Sequence, residues 1–147
     1  MKIVFLSIIF LSCGLIGIMI KRYHKKRKNF YLETLSFLRK MKEEITFRKT
    51  FFKEIKNEIP HSDELEDMIL GKIAPESVLN NEEQKELQSY FKDVGKSSIS
   101  FEIENVDKAL NYVEEKCKET KDGYERKGNL SVKLGFLIGI AIFVLLV

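Results

Sequence analysis

Residues 3–20 read IVFLSIIFLSCGLIGIMI, a run of eighteen residues without a charged side chain. As a helix rising about 1.5 Å per residue, this run measures roughly 27 Å, close to the hydrocarbon thickness of a bilayer. Residues 134–147 read LGFLIGIAIFVLLV and form a second, shorter apolar run. The sequence therefore predicts transmembrane helices at 1–20 and at 130–147, the second counting Leu130, Val132 and a snorkelling Lys133.

Each apolar run has an alternative interpretation. The residues Phe10 to Cys13 resemble a lipoprotein cleavage site, but the chain stays apolar from Cys13 to Ile20 and then turns basic, so we expect a retained anchor. The second run has the composition of a buried core helix as well. The chain between the runs offers too little apolar surface to enclose a helix that is apolar on all sides. We therefore expect two spans.

A basic cluster follows the first span and predicts its orientation. It occupies the juxtamembrane segment 21–28 and consists of Lys21, Arg22, Lys25, Lys26, Arg27 and Lys28. Lysine and arginine near a span remain on the cytoplasmic side, and the residues before the second span are basic as well. The pattern predicts a cytoplasmic region at 29–129 with both termini outside, and attraction of the cluster to anionic lipids. Nucleic acid is not a predicted partner, because the net charge is only +3 and the polar region mixes signs.

The sequence contains no recognisable pattern for catalysis or for a bound cofactor. Its two cysteines, Cys13 and Cys117, fall on opposite sides of the predicted membrane boundary, so a disulfide between them is not expected. The two histidines are far apart and neither lies beside a cysteine, so no common metal-ligand spacing occurs. We expect no catalytic, cofactor or metal site, and a protein that is not an enzyme.

The cytoplasmic region predicts helices throughout. Between Asn29 and Ile59, apolar residues recur at intervals of three, four or seven, and Pro60 ends the run. This pattern predicts one long amphipathic helix with Phe37, Phe47 and Phe51 widening its buried face. The stripe consists of Tyr31, Leu35, Leu38, Met41, Ile45, Phe52, Ile55 and Ile59.

Two shorter helices are predicted next. Ser62 is a typical N-cap for a helix that runs through Leu70 and ends at Gly71, and Pro75 suits the start of a further short turn. Asn81 with Gln84 resembles a capping box that opens a helix from Glu82 to Val94, ended by Gly95.

The last cytoplasmic element shows a heptad pattern, which we call the helix-pairing seam. It consists of Ile99, Ile103, Val106, Leu110, Val113, Cys117, Thr120 and Tyr124. We expect it to pack antiparallel to the 29–59 helix, although an intermolecular coiled coil would fit the same pattern. Gly123 and Gly128 predict a joint near Asn129. The predicted fold class is all-α, a small antiparallel helix bundle between an N-terminal and a C-terminal transmembrane helix.

The stretch Asn129–Gly139, NLSVKLGFLIG, resembles the end of stage III sporulation protein AB. Upstream, that family has a helix of the form Leu-Arg-x-Leu-x-x-Glu-Ile followed by an aromatic residue and Thr-Pro-Leu. The comparable residues here are Leu38, Arg39, Glu43, Glu44, Ile45, Phe47 and Thr50. Phe51 and Phe52 stand where the family usually has Pro-Leu, and residues 96–103 lack the Asp and Gln pattern often found there.

The resemblance implies a function that composition alone does not show. Such proteins are similar to the F-family platform proteins of type II secretion systems. The family implies a component of the channel between mother cell and forespore, placed in the mother-cell membrane with other stage III sporulation channel proteins, including an assembly ATPase. The bundle would convert an ATPase-driven shift into movement of membrane helices. A homo-oligomer stays an option. A membrane-anchored adaptor or regulator of a soluble client is the alternative, and a holin-like pore is disfavoured by the large polar region.

Two further sets of residues are contact candidates. The acidic residues Asp63, Glu64, Glu66 and Asp67 lie far from the spans, where a cytoplasmic ATPase would have room to bind. Gly135 and Gly139 have the four-residue spacing that allows close packing of spans.

Overall fold

The computed structural model describes residues 2–48, 59–72, 78–93 and 98–146. Within these ranges every regular element is helical, as predicted. The α-helices are α1 (Lys2–Arg48), α2 (Asp63–Ile69), α3 (Asn81–Asp93), α4 (Ile99–Asp122) and α5 (Asn129–Leu146). A π-helical segment, Gly123–Gly128, joins α4 to α5, so the irregularity predicted near Asn129 occupies the six residues before it.

The chain forms two compact units. Met1–Lys28 and Glu119–Val147 make the first, which we call the terminal unit, and Asn29–Lys118 makes the second, the central unit. The central unit falls within the region 29–129 that is predicted to be cytoplasmic.

Two helices of the terminal unit are long and apolar enough to cross a membrane. They lie within the continuous helical ranges Ser7–Arg48 and Ile99–Leu145. Their large apolar side chains are mostly exposed, among them Ile8, Leu11, Leu15, Ile16, Met19, Leu137, Ile138, Ile140, Val144 and Leu145. Apolar side chains that face outward along a whole helix are expected when the surroundings are lipid.

The central unit has its own apolar core, to which α1, α2, α3 and α4 all contribute. Helices α2 and α3 pack against each other. The core consists of Phe30, Tyr31, Phe37, Leu38, Met41, Ile45, Ile59, Leu65, Met68, Val78, Leu79, Leu87, Phe91, Val106, Ala109 and Val113. Burying this many large side chains is the main force that holds such a small bundle together.

The predicted stripe of α1 is confirmed where the structure describes it. Tyr31, Leu38, Met41 and Ile45 are buried, and Leu35 is partly buried. The prediction for Phe47 is wrong, because its side chain is 80% exposed. A period of 3.6 residues places Phe47 at the margin of the stripe, and only the packing of the bundle decides on which side of the margin it falls. Thr50, Phe51, Phe52 and Ile55 lie outside the described residues, and Ile59 is buried but not helical.

Helix α2 begins as predicted, and it ends at Ile69, one residue before the predicted Leu70. The Ser62 hydroxyl accepts a hydrogen bond from the backbone N–H of Leu65 at 3.4 Å, which caps the helix. At the other end Gly71 has φ of +73°, the left-handed conformation that glycine adopts without strain. The backbone N–H of Ser62 also donates to the carboxylate of Glu33 in α1, which joins the start of α2 to the long helix.

The capping box of α3 lies one residue earlier than predicted. Asn80 Oδ1 accepts from the backbone N–H of Glu83 at 2.8 Å, and the Glu83 carboxylate accepts from the backbone N–H of Asn80 at 3.2 Å. The helix therefore begins at Asn81, and the predicted pair Asn81 and Gln84 is wrong. Pro75, Val94 and Gly95, which carried neighbouring predictions, lie outside the described residues.

Within the central unit α4 runs antiparallel to α1. Arg39 Nη2 lies 2.7 Å from Glu114 Oε1, and Lys42 Nζ lies 2.6 Å from Asp107 Oδ1. Residue numbers that rise along one helix fall along the other, as the expected pairing requires. The core of that contact is built by buried apolar residues rather than by these exposed ion pairs, each of which contributes about 1 kcal/mol or less.

Candidate functional site

The terminal unit consists of two stretches of chain, Met1–Lys28 and Glu119–Val147, which we call its two arms. The arms meet at glycines. A Cβ atom on Gly17 would lie 2.8 Å from the carbonyl oxygen of Ser131, and one on Gly135 would lie 2.8 Å from the carbonyl oxygen of Cys13. Both distances are too short for a side chain, so the two backbones touch at these positions. Gly17 and Gly135 are themselves neighbours, since the Gly17 Cα would lie 3.7 Å from a Cβ on Gly135.

Closer to the two chain termini, the same contact involves an aromatic ring. A Cβ on Gly139 would lie 2.8 Å from Cδ2 of Phe10, so the Phe10 ring packs directly on this glycine. The Phe10 and Phe136 rings lie 6.0 Å apart between centroids. Gly135 and Gly139, selected from the sequence for their spacing, both lie against α1, on which Gly17 completes the contact.

The π-helical segment faces the basic cluster of α1. The ring of Tyr124 lies 4.6 Å from Nζ of Lys28 and 5.9 Å from Nζ of Lys21, measured to its centroid. Two lysines on one tyrosine give cation–π contacts that add to the pairing of the arms. Tyr124, predicted as a seam residue, therefore packs against the basic cluster.

A cleft opens beside this contact, entirely within the terminal unit. Its volume is about 350 Å³, and it is lined by His24, Arg27, Glu119, Thr120, Asp122, Gly123, Arg126 and Lys127. Burial lowers the pKa of His24 below its ordinary value of 6.5, and the positive charges of Lys127 and Arg27 lower it further. The imidazole is therefore neutral at neutral pH.

The chain separates its charge between the two units. The terminal unit holds eleven lysines and arginines against three carboxylates, whereas the central unit holds fourteen against nineteen. The small net charge of +3 conceals this division. One unit suits an anionic surface, and the other suits a basic partner.

The acidic residues proposed as an ATPase contact lie on α2, in the central unit. The first turn of α2 contains Asp63, Glu64 and Glu66, whose negative charges interact favourably with the helix dipole. Asp67 forms an ion pair with Lys72, with Oδ1 and Nζ 3.3 Å apart. All four side chains are exposed or partly exposed. A partner could therefore reach them, although the three in the first turn also stabilise the helix itself.

The helix-pairing seam is only partly buried in α4. Val106, Val113 and Thr120 are buried, whereas Ile99, Ile103, Leu110 and Cys117 are partly exposed. Burial raises the pKa of the Cys117 thiol, with Arg39 opposing the shift, so this cysteine is a packing residue rather than a thiolate. The buried line of α4 instead passes through Glu102 and Ala109, which sequence reasoning missed because a glutamate is normally assigned to the solvent side.

Glu102 is fully buried, with 0% of its surface exposed. Neither of its carboxylate oxygens has a hydrogen-bond partner among the described residues. In the part of the chain that the structure covers, no group of three or more histidine, cysteine, aspartate or glutamate residues is arranged to hold a metal ion.

Comparison with known protein families gives a match. The family model described as Stage III sporulation protein AB matches residues 62–147, more than half of the chain. The matched part contains α2 to α5, including the glycines of the second arm, whereas the α1 residues that resemble the family lie outside it. No curated protein and no solved structure matches the chain.

Proposed function

We propose a mechanical role in the membrane for this chain, because it belongs to the stage III sporulation protein AB family. Membership of the family implies a role in sporulation, and the two long apolar helices fit a membrane protein. The proposed role is that of a non-enzymatic platform component of the channel between mother cell and forespore, held in the mother-cell membrane by two spans and coupled to the assembly ATPase.

The observation that best supports a mechanical role is the close contact between the two arms. At Gly17 and Gly135 backbone touches backbone, so a displacement of one arm would press on the other through this contact. Helix α1 is also helical without interruption from Lys2 to Arg48, and it supplies residues to both units. A force applied to the cytoplasmic part of α1 would reach a pair of spans rather than a single one.

The proposed ATPase contact uses the negative charge of the central unit. Its nineteen carboxylates outnumber its basic residues, and Asp63, Glu64, Glu66 and Asp67 concentrate four of them on one short helix. A basic surface on the ATPase would be attracted to this helix, mainly through faster association.

Charge reversal tests this contact. The variant Glu64→Lys/Glu66→Lys/Asp67→Lys should lose co-purification with the ATPase and lower the spore titre of the native host. Since lysines in the first turn oppose the helix dipole, circular dichroism must show that the variant is still folded. The matched control is Glu43→Lys/Glu104→Lys/Glu115→Lys, which reverses three exposed carboxylates elsewhere on the central unit. Equal loss of binding in both variants would mean that α2 is not the contact.

Removal of the gene tests the wider role. A deletion strain should stop at the stage of channel function, and the wild-type chain should restore sporulation. A deletion strain that sporulates normally would contradict the platform proposal, and ATPase copies that stay membrane-associated without this chain would contradict the coupling.

A further inference from the structure

The cleft beside the π-helical segment brings cations from both arms to one place. Arg27 comes from α1, and Arg126 and Lys127 come from the π-helical segment. Arginine has five N–H donors and lysine has three, so each of these side chains can donate several hydrogen bonds at once. Three cations around a recess form the arrangement that proteins use to hold a phosphate group.

With Ile20 as the last residue of the first span, the cleft would lie at the depth of the lipid headgroups. Along α1, His24 and Arg27 follow the last span residue, Ile20, by about 6 Å and 10 Å at helical rise. A headgroup layer is about 5–8 Å thick on each side of the hydrocarbon, and arginine side chains reach several ångströms along the surface. On the other arm Gly128 packs against Lys21, so Arg126 and Lys127 lie near the same level.

Local details keep the recess open. A Cβ on Gly123 would lie 3.7 Å from Nδ1 of His24, so the imidazole borders the space that a larger side chain at 123 would fill. Because His24 is neutral, it adds a hydrogen-bonding group to the wall without adding charge.

Two carboxylates also line the cleft, Glu119 and Asp122. They would repel a headgroup that carries a carboxylate of its own, and they would accept hydrogen bonds from alcohol groups. The surrounding excess of lysine and arginine favours a ligand with net negative charge.

We propose that this cleft binds the headgroup of an anionic glycerophospholipid, with its phosphodiester on Arg27, Arg126 and Lys127 and an uncharged alcohol toward Glu119 and Asp122. Phosphatidylglycerol has this chemistry. A lipid held there would bridge both arms at the membrane surface. Such binding would require neither the proposed platform role nor the ATPase.

Ligand-induced stabilisation of the full chain tests the proposal. The chain in neutral detergent is titrated with short-chain phosphatidylglycerol, phosphatidylserine, phosphatidylcholine or inorganic phosphate, and its unfolding midpoint is followed by circular dichroism. Phosphatidylglycerol should raise the midpoint most. Equal stabilisation by phosphatidylserine would overturn the role of the carboxylates. Equal stabilisation by inorganic phosphate would overturn the assignment to a lipid.

Two variants of equal charge separate the cleft from general attraction to the membrane. Arg27→Gln/Arg126→Gln/Lys127→Gln removes three cations from the cleft, and Lys25→Gln/Lys26→Gln/Lys121→Gln removes three exposed cations beside it. The first should weaken phosphatidylglycerol binding about tenfold or more, as expected for loss of a charge-assisted hydrogen bond. The second should keep the preference for phosphatidylglycerol over phosphatidylserine. Equal weakening in both would overturn the proposal.

A third variant leaves the charge unchanged. Gly123→Leu should fill the recess and abolish the preference for phosphatidylglycerol while retaining the helical spectrum. If Gly123→Leu binds phosphatidylglycerol as the wild-type chain does, the cleft is not the site.

Discussion

The carbonyl oxygen of Cys13 lies 2.8 Å from the position that a Cβ atom on Gly135 would occupy. The α1 backbone therefore fills the space where any other residue at 135 would carry its side chain. Gly14, one residue further along α1, makes no such contact, since a Cβ there would lie 3.6 Å from the Phe136 ring. These two glycines allow a matched comparison.

We expect Gly135→Ala to separate the arms and to lower the free energy of unfolding by about 1–3 kcal/mol, the usual cost of overpacking. Gly14→Ala should change it much less, because its methyl group would meet a ring at ordinary contact distance. Both are measured by unfolding of the full chain in mild detergent. Equal effects of the two variants would contradict the close approach at Gly135.

The capping box of α3 predicts a contrast between adjacent asparagines. Asn80→Ala removes the side chain that caps Glu83 and should cost about 1 kcal/mol of stability. Asn81→Ala, on an exposed side chain of the same type, should cost about 0.5 kcal/mol or less. Thermal unfolding distinguishes them, and a larger loss at Asn81 would restore the cap first predicted from the sequence.

The buried carboxylate of Glu102 predicts a stabilising substitution. Glu102→Met retains the length of the side chain and removes two oxygens that lack hydrogen-bond partners, so it should raise the free energy of unfolding by about 1–3 kcal/mol. Glu104→Met, which removes an exposed carboxylate near Lys108, should change it by about 0.5 kcal/mol or less. Destabilisation by Glu102→Met would contradict the prediction that this buried carboxylate costs stability.

The lowered pKa of His24 predicts a pH dependence of stability. Between its lowered folded pKa and the ordinary value of 6.5, the unfolded chain binds more protons at this residue than the folded chain does. The free energy of unfolding should therefore fall as the pH is lowered through that window. Above pH 6.5 His24 is neutral in both states and should cause no loss of stability. Comparing His24→Gln with the wild-type chain across the window isolates the effect, because the variant should lose this part of the slope. A wild-type slope that survives in His24→Gln would assign it to other groups.

Much of the fold follows from local patterns. The two apolar runs, the Ser62 cap and the stripe of α1 each rest on interactions within a few residues along the chain, and the described structure contains them. The prediction for the capping box of α3 was wrong by one residue for a specific reason. In the sequence Asn-Asn-Glu-Glu-Gln from residue 80, two registers offer the same chemistry, and the buried position of Glu83, 4% exposed and 3.4 Å from Lys116, selects between them.

Less of the candidate sites could be predicted from the sequence. The spacing of Gly135 and Gly139 was visible, but their partners Gly17 and Phe10 depend on how the arms pair. The cleft was not predicted, because its cations come from segments about a hundred residues apart in the chain. Glu102 is buried although it is charged, and Phe47 is exposed although it is apolar. Only tertiary packing decides such cases.

The opposite charges of the two units have a practical consequence for fragments of this protein. The intact chain has a pI of about 8.7, so at neutral pH it should bind a cation exchanger. A fragment limited to Asn29–Lys118 carries more acidic than basic residues, so it should bind an anion exchanger instead. The isolated central unit should therefore migrate in an electric field in the direction opposite to the intact chain. Anionic lipids should repel this fragment, although they attract the intact chain.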